Sequence, residues 1–330
     1  MLHEFLSNSN WLNPQIDYLL WLQNIRLHLG PVFDNLFLSI TSLGEIFIPT
    51  LVISLVYWCI DSEAGMYLFG LNSLGLTFIQ FLKTTACIYR PWILCDKIKP
   101  VESAIAMAKG YSFPSGHSMI SATSWGGFAF LLRKKKIISA LIILLILLIG
   151  FSRTYLGVHT PQDVIIGLLT GLVLVFVVQY ALEWCKKDKN RYLYLLAFLD
   201  IAVLAVLVHI ILKNYPVDYV NGKMLVDPYH AKYVSVMLCG WILGLINGLF
   251  ICKRFFPFDA KEGTLKSRII RGGVGAGILF LLLHPANEYF MLNICRYRLC
   301  LSCMFLMGFF ITAIYPYIFS KIEKKLHRTM

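Results

Sequence analysis

Residues 152–163 read Ser152-Arg153-Thr154-Tyr155-Leu156-Gly157-Val158-His159-Thr160-Pro161-Gln162-Asp163. The stretch before it, 137–151, holds only apolar and small residues, and 164–182 after it is again strongly apolar. Each run approaches the roughly 20 residues that span a bilayer as a helix. Two membrane helices joined by a polar turn are therefore expected. Inside the turn stand an arginine, a histidine and a carboxylate. A charge at the bilayer centre costs roughly 2.5–3.5 kcal/mol or more, so such groups persist where they act on something polar.

Working outward, the same apolar pattern recurs along the chain. Of 330 residues, 58% are hydrophobic and 15% charged, the balance of a polytopic membrane protein. Candidate spans lie at about 33–60, 64–88, 116–132, 137–152, 161–182, 192–212, 230–251, 268–284 and 298–320. The expected fold is all-α: a transmembrane helical bundle of about nine spans, with a core of five to six helices carrying the active site. Three regions follow: an amphipathic segment at 1–32, a core of spans one to five at 33–182, and spans six to nine at 183–330. Gly44-Glu45 predicts a break in the first span.

The net charge of +12 is not spread evenly. Segments 133–136, 183–191, 252–268 and 321–330 hold 17 of the 30 Lys and Arg, and each follows an odd-numbered span. That is the positive-inside pattern, with the N-terminus outside and the C-terminus cytoplasmic. It speaks against nucleic acid as a partner. Residues 1–10 lack the basic start of a signal peptide. The nine cysteines, including Cys295, Cys300 and Cys303, suggest no disulfide framework and read as ordinary span residues.

With this threading, the end of span two, the start of three, the end of four and the start of five meet at one face, away from the cytoplasm. The unusual polar groups of the first half lie at those ends. Lys83 and Arg90 close span two, seven residues apart, and would share a face if the helix continued to Pro91. Taken alone, they also read as interface residues with snorkelling side chains. Pro114-Ser115-Gly116-His117 opens span three, with Ser115 as N-cap. A capped helix start presents free amides that favour an anion. Thr160-Pro161-Gln162-Asp163 has the spacing of another capped start, so Asp163 has a structural role available. It also lies four residues after His159, where it could hold the ring and leave the other nitrogen free to attack. Arg153 adds a fork suited to phosphate. A tetrahedral oxyanion is the implied ligand, and two histidines suggest a nucleophile and a general acid. No Asp/Glu cluster with metal spacing accompanies them, so no metal is required.

These blocks, in this order, resemble the type 2 phosphatidic acid phosphatase superfamily. Its signature is met at Lys83 with Arg90-Pro91, at Pro114-Ser115-Gly116-His117, and at Ser152-Arg153 with His159 and Asp163, eleven specified residues in all. The resemblance covers about residues 64–180. It implies an integral-membrane phosphoric monoester hydrolase in which His159 forms a phosphohistidine, Asp163 orients it, and His117 acts as general acid and then base. It further implies that Lys83, Arg90, Ser115, Gly116, Ser152 and Arg153 hold the phosphoryl oxygens, with no metal and no cofactor. The family's substrates are mostly lipid phosphates, some of them pyrophosphates, so membrane lipids and a phosphorylated lipid are the expected partners. The oligomer is left open. The membrane would be a bacterial inner or plasma membrane, or the endoplasmic reticulum in a eukaryote.

Two other readings stay open. The layout is also similar to the glucose-6-phosphatase branch, whose substrate is a soluble sugar phosphate. A carrier could use the same groups to hold a phosphate ester without hydrolysis. In the last four spans, Asp200 and His209 read as packing polar groups. Loop 213–229, with His284, Asn287 and Glu288, is a candidate lid or headgroup selector, and Glu45 a candidate residue at the lipid entry.

Overall fold

The computed structural model describes residues 9–106, 108, 110–220, 223–292 and 297–329. The apolar runs become helices. They are α1 (Ser9–Leu29), α2 (Pro31–Ser42), α3 (Phe47–Cys59), α4 (Ser62–Ala86), α5 (Gly116–Leu131) and α6 (Lys136–Tyr155). There follow α7 (Pro161–Lys186), α8 (Lys189–Leu212), α9 (Pro228–Phe255), α10 (Leu265–Leu292), α11 (Tyr297–Phe309) and α12 (Tyr315–Thr329). One-turn helices at Pro91–Leu94 and Glu102–Ala106 lie between α4 and α5, and a π turn, Phe310–Ile314, joins α11 to α12. Between α8 and α9 is a small hairpin, Tyr219–Val220 paired antiparallel with Lys223–Met224.

The protein is a multi-pass membrane protein. Among the described residues, six helical segments are long and apolar enough to cross a bilayer. They are Ser62–Leu94, α6, α7, Asn190–Leu212, α9 and Tyr297–Lys325. The pair α2 and α3, bent by 41° at the expected Gly44-Glu45 break, makes a seventh. The expected count of nine is therefore not met by length and composition alone. The two remaining spans coincide with α5 and α10. For α5 the reason is physical: it has 16 residues and buries Ser118, Ser121, Thr123 and Ser124. A helix enclosed by protein needs no apolar surface, and small residues let its neighbours approach.

The chain forms two compact units. The first comprises Met1–Ile48, Phe78–Val175 and His209–Lys232. Here α7 lies directly on α5. A Cβ at Gly167 would stand 2.8 Å from the Ser115 carbonyl, and one at Gly171 would meet Ala122 at 2.5 Å. Trp125 donates to the Leu43 carbonyl at 2.9 Å and ties α5 to the α2–α3 bend. The expected amphipathic segment is α1. It exposes Trp11, Trp21 and Leu27 and buries Leu19, Leu22 and Arg26. Gln23 binds the Lys97 carbonyl and the Lys99 amide, and Arg26 donates to the Lys99 carbonyl, so α1 is strapped to the loop after α4.

The second unit comprises Pro49–Thr77, Phe176–Val208 and Tyr233–Met330. Gly240, Gly244 and Gly248 let α9 touch the backbone of α11 at Leu301, Phe305 and Phe309. Carbonyls of the π turn accept from α3: Tyr57 donates to Thr312 at 3.0 Å and Trp58 to Ile311 at 2.9 Å. Arg271, fully buried, pairs with Glu323 at 2.7 Å. Asp200 accepts from Asn247 at 3.0 Å, the packing role expected of it. In the first unit, His209 likewise meets the Thr85 hydroxyl at 3.1 Å.

Candidate active site

The site lies within the first unit. The turn after α6 begins with Gly157 in a left-handed conformation, φ +75°, which a side chain would resist. That reversal lets the amides of Val158 and His159 return to the Arg153 carbonyl at 3.1 and 3.3 Å. Thr160 then opens α7. Its amide donates to Asp163 Oδ2 at 3.0 Å, while the Asp163 amide approaches Thr160 Oγ1 at 3.4 Å. The expected cap is thus present, and its carboxylate does two things at once: Asp163 Oδ2 also stands 3.2 Å from His159 Nδ1.

Ser115 caps α5 as expected, accepting from the Ser118 amide at 3.3 Å and the Ser118 hydroxyl at 2.8 Å. Its own amide donates to the Asp163 carbonyl at 2.9 Å, joining the second and third blocks through the backbone. Gly116 lies beside Lys83: a Cβ there would stand 4.0 Å from the lysine Cε.

Lys83 and Arg90 reach the site by different routes. Their shared helical face is not realised, because α4 ends at Ala86. Cys87 takes a left-handed φ of 50°, and Arg90 becomes the N-cap of the next one-turn helix. Lys83 Nζ donates to the carbonyls of Tyr111 at 2.9 Å and Ser112 at 3.2 Å. Arg90, buried, donates through Nε to Gly110 O at 3.1 Å and through Nη1 to Val158 O at 3.0 Å. The same Nη1 stands 2.7 Å from His159 Nε2.

Arg153 is fully buried at the end of α6, with Nη1 on Thr41 Oγ1 at 2.8 Å. Its Nε and Nη2, and Nε2 of His117, are buried with no partner. Buried donors left unpaired cost free energy. The two arginine atoms are donors that an acceptor-rich ligand would satisfy, and Asp163 Oδ1 is likewise buried without a partner. Glu45, half-buried beside the bend, is the acidic group whose charge acts on Arg153. Ser152 is the predicted site residue that the structure engages elsewhere: its hydroxyl donates to Ile149 O at 2.6 Å, one turn back in α6. The side chains of His284, Asn287 and Glu288 lie outside the described residues.

His159 sits in the connection between α6 and α7. Burial, then the charges of Arg90, Lys83 and Arg153, hold its pKa well below the ordinary imidazole value. The neutral ring, with Nδ1–H toward Asp163, keeps a lone pair on Nε2. An imidazole with an oriented lone pair, three cations and a second histidine can transfer a phosphoryl group.

Two participants escaped the sequence reading. One is Thr41, the partner of Arg153. The other is Ser112, whose hydroxyl stands 2.6 Å from Asp163 Oδ2 and 3.3 Å from His159 Nδ1. The available signal was a hydroxyl three residues before Ser115, with no spacing rule to connect it to Asp163.

Known proteins resemble this chain in both of its halves. A model of the PAP2 superfamily matches residues 64–187, which include the three motif blocks from Lys83 to Asp163. A second model, "PAP2 superfamily phosphatase, transmembrane extension", matches 236–327. The chain is 30% identical over 174 residues to phosphatidylglycerophosphatase B of Bacillus subtilis, covering 49% of this chain and 81% of that protein. It is 43% identical over 67 residues to undecaprenyl-diphosphatase of Sulfolobus acidocaldarius, covering 20% of this chain and 32% of that one. A crystal structure of a transmembrane PAP2-type phosphatidylglycerolphosphate phosphatase from Bacillus subtilis aligns with a TM-score of 0.45 and 25% identity, covering 54% of this chain and 89% of that one.

Proposed function

The chain belongs to the PAP2 superfamily of membrane phosphatases, and from that premise we propose that it hydrolyses a lipid phosphate ester through a phosphohistidine on His159. The observation that carries the reading is the imidazole held by Asp163 among Lys83, Arg90 and Arg153, with unpaired donors on Arg153 and His117 facing no protein acceptor.

In this mechanism Nε2 of His159 attacks phosphorus, and Asp163 stabilises the charge that develops on the ring through Nδ1–H. His117 gives a proton to the departing lipid alcohol. The same histidine, now neutral, takes a proton from water. Hydroxide displaces the imidazole from phosphorus, and inorganic phosphate leaves. Lys83, Arg90 and Arg153, with the capped start of α5, balance the negative charge on the equatorial oxygens. Groups fixed before the reaction stabilise the transition state without reorganising. No step requires a metal.

The two curated relatives are named for phosphatidylglycerol phosphate and undecaprenyl diphosphate, so a headgroup monophosphate and a polyprenyl diphosphate are the substrates to try first. Basic segments at 133–136, 183–191, 252–268 and 321–330 support an N-out, C-in orientation with the site away from the cytoplasm. The test is phosphate release in detergent with chelator, by wild type and His159→Ala. Its panel holds both lipids, phosphatidic acid, a sphingoid phosphate and glucose 6-phosphate. Release from a lipid that disappears in the variant supports the proposal. Release from the sugar alone would replace the lipid reading by a soluble-ester phosphatase. Release from nothing would leave a carrier of phosphate esters, to be followed by uptake measurements.

A further inference from the structure

Asp163 Oδ2 receives three donors. Two come from its own turn: the Thr160 amide at 3.0 Å and His159 Nδ1 at 3.2 Å. Those two move with α7 and cannot fix it against the rest of the site. The third is the Ser112 hydroxyl at 2.6 Å, from a segment 51 residues away in sequence. Ser112 is buried, and its backbone is tied at both ends. Its amide donates to Ile88 O at 2.7 Å, and its carbonyl accepts from Lys83 Nζ at 3.2 Å. One residue therefore connects the strand of chain that carries Lys83 and Arg90 to the carboxylate that carries His159.

We propose that Ser112 is a positioning residue that sets the register between the nucleophile and the phosphate clamp by donating its hydroxyl to Asp163. The proposal rests on the phosphohistidine reading above. With the hydroxyl present, Asp163 Oδ2 is held toward both His159 and the Lys83–Arg90 segment. Ser112 Oγ, 3.3 Å from Nδ1, also offers that N–H a second acceptor and so favours the tautomer with its lone pair on Nε2. Without the hydroxyl, the Asp163 carboxylate keeps only donors from its own turn, while its backbone carbonyl stays on the Ser115 amide. The ring can then tilt relative to bound phosphate, and small misplacements of a reacting group are costly.

The experiment is a double-mutant cycle on the purified full chain. In the wild-type background, Ser112→Ala is expected to lower kcat roughly 10- to 100-fold, the worth of a hydrogen bond to a charged group. KM should stay within about threefold, since the clamp itself remains. Ser112→Thr, which keeps the hydroxyl, should recover most of the rate. In an Asp163→Asn background, Ser112→Ala should change the residual kcat less than about twofold, because its target has already been altered. A kcat within twofold of wild type, or an equal loss in both backgrounds, would overturn the proposal.

Imidazole 15N shifts of His159, assigned by their loss in His159→Ala, read the same relation without turnover. Ser112→Ala should move them toward a mixture of tautomers; unchanged shifts would count against the proposal. If wild type and His159→Ala release phosphate equally, the phosphohistidine reading fails by itself, and the shifts still decide whether Ser112 orients the ring.

Discussion

Arg90 Nη1 lies 2.7 Å from Nε2 of His159, the nitrogen expected to attack phosphorus. The lone pair of this nitrogen is thus held by a cation. Arg90 Nη1 also donates to Val158 O at 3.0 Å. A phosphoryl group carries charged oxygens that the guanidinium fork can bind in a bidentate way, which neither the ring nitrogen nor the carbonyl offers. Substrate should draw Arg90 off the ring and free it in the same movement. Arg90→Lys keeps the charge but loses the fork. It is expected to lower kcat/KM at least about tenfold, by analogy with the loss of one charged hydrogen bond. Orthovanadate inhibition should weaken in parallel. Unaltered vanadate affinity in Arg90→Lys would remove Arg90 from the clamp.

The two histidines are expected to fail differently. His159→Ala removes the nucleophile, and no phosphoenzyme can form. His117→Ala removes the acid for a poor leaving group and the base for water. With p-nitrophenyl phosphate, whose leaving group needs little protonation, His117→Ala should form the phosphohistidine and fail to hydrolyse it. Acid-labile, base-stable 32P should accumulate on that variant. Label on His159→Ala, or none on His117→Ala, would reverse or remove these roles.

How far the sequence carried can be read from these residues. Ser115 and Thr160 were legible as caps because capping is local chemistry with fixed spacing, and both behave so. The meeting of four helix ends followed from counting spans, since an even crossing returns the chain to the same side. Arg90 was expected near the other motif blocks and lies beside His159, but it gets there by a different route from the one expected. A left-handed turn at Cys87, a non-glycine, leaves no mark in a sequence. Ser112 on Asp163 and Arg153 on Thr41 join positions 51 and 112 residues apart. No periodicity connects such pairs, so they emerge only when the helices are packed. Ser152 shows the converse: a motif position whose hydroxyl is engaged inside its own helix.

The seam between α5 and α7 sets the site from below, because the Ser115 carbonyl that Gly167 meets belongs to the residue whose amide holds Asp163 O. Gly167→Val would press a branched side chain onto backbone. Overpacking of this kind costs about 1–3 kcal/mol. Both thermal stability in detergent and kcat should fall, with the cap of α5 displaced. Gly273, where an added Cβ meets nothing within 4 Å, is the control, and Gly273→Ala should leave both unchanged. A stable, fully active Gly167→Val would show that the α5–α7 distance does not matter to the chemistry.

The depressed pKa of His159 has a sign that kinetics can read. Burial and neighbouring cations favour the neutral ring, so protonation, which would occupy Nε2, sets in only below the ordinary imidazole value of about 6.5. The acid limb of kcat/KM, corrected for substrate ionisation, should therefore lie on the acidic side of that value. Arg90→Ala removes the charge that acts most strongly on the ring and should move the limb toward higher pH. A limb at the ordinary value in wild type, unmoved by Arg90→Ala, would mean that His159 is not the group being titrated.

The connection between α8 and α9 packs on the residues that precede Arg90 and Ser112 in the chain. Val226 packs with Cys87 and Tyr111, the Tyr215 ring stacks on Tyr111 at 6.3 Å, and Tyr89 donates to Asp218. Residues 188–235 lie between the two family matches. These contacts fall on Cys87, Tyr89 and Tyr111, beside the clamp in sequence, where a change can reach the substrate's headgroup without removing a reacting group. Asp218→Asn and Tyr89→Phe loosen the hairpin while leaving the reacting groups in place. They are expected to change the ratio of kcat/KM between phosphatidylglycerol phosphate and phosphatidic acid several-fold, with p-nitrophenyl phosphate turnover near wild type. A selector acts on the part of the substrate beyond the phosphate, so a small ester without a headgroup should not register the change. An equal fall for all three esters would instead mean that the hairpin supports the fold of the site and selects nothing.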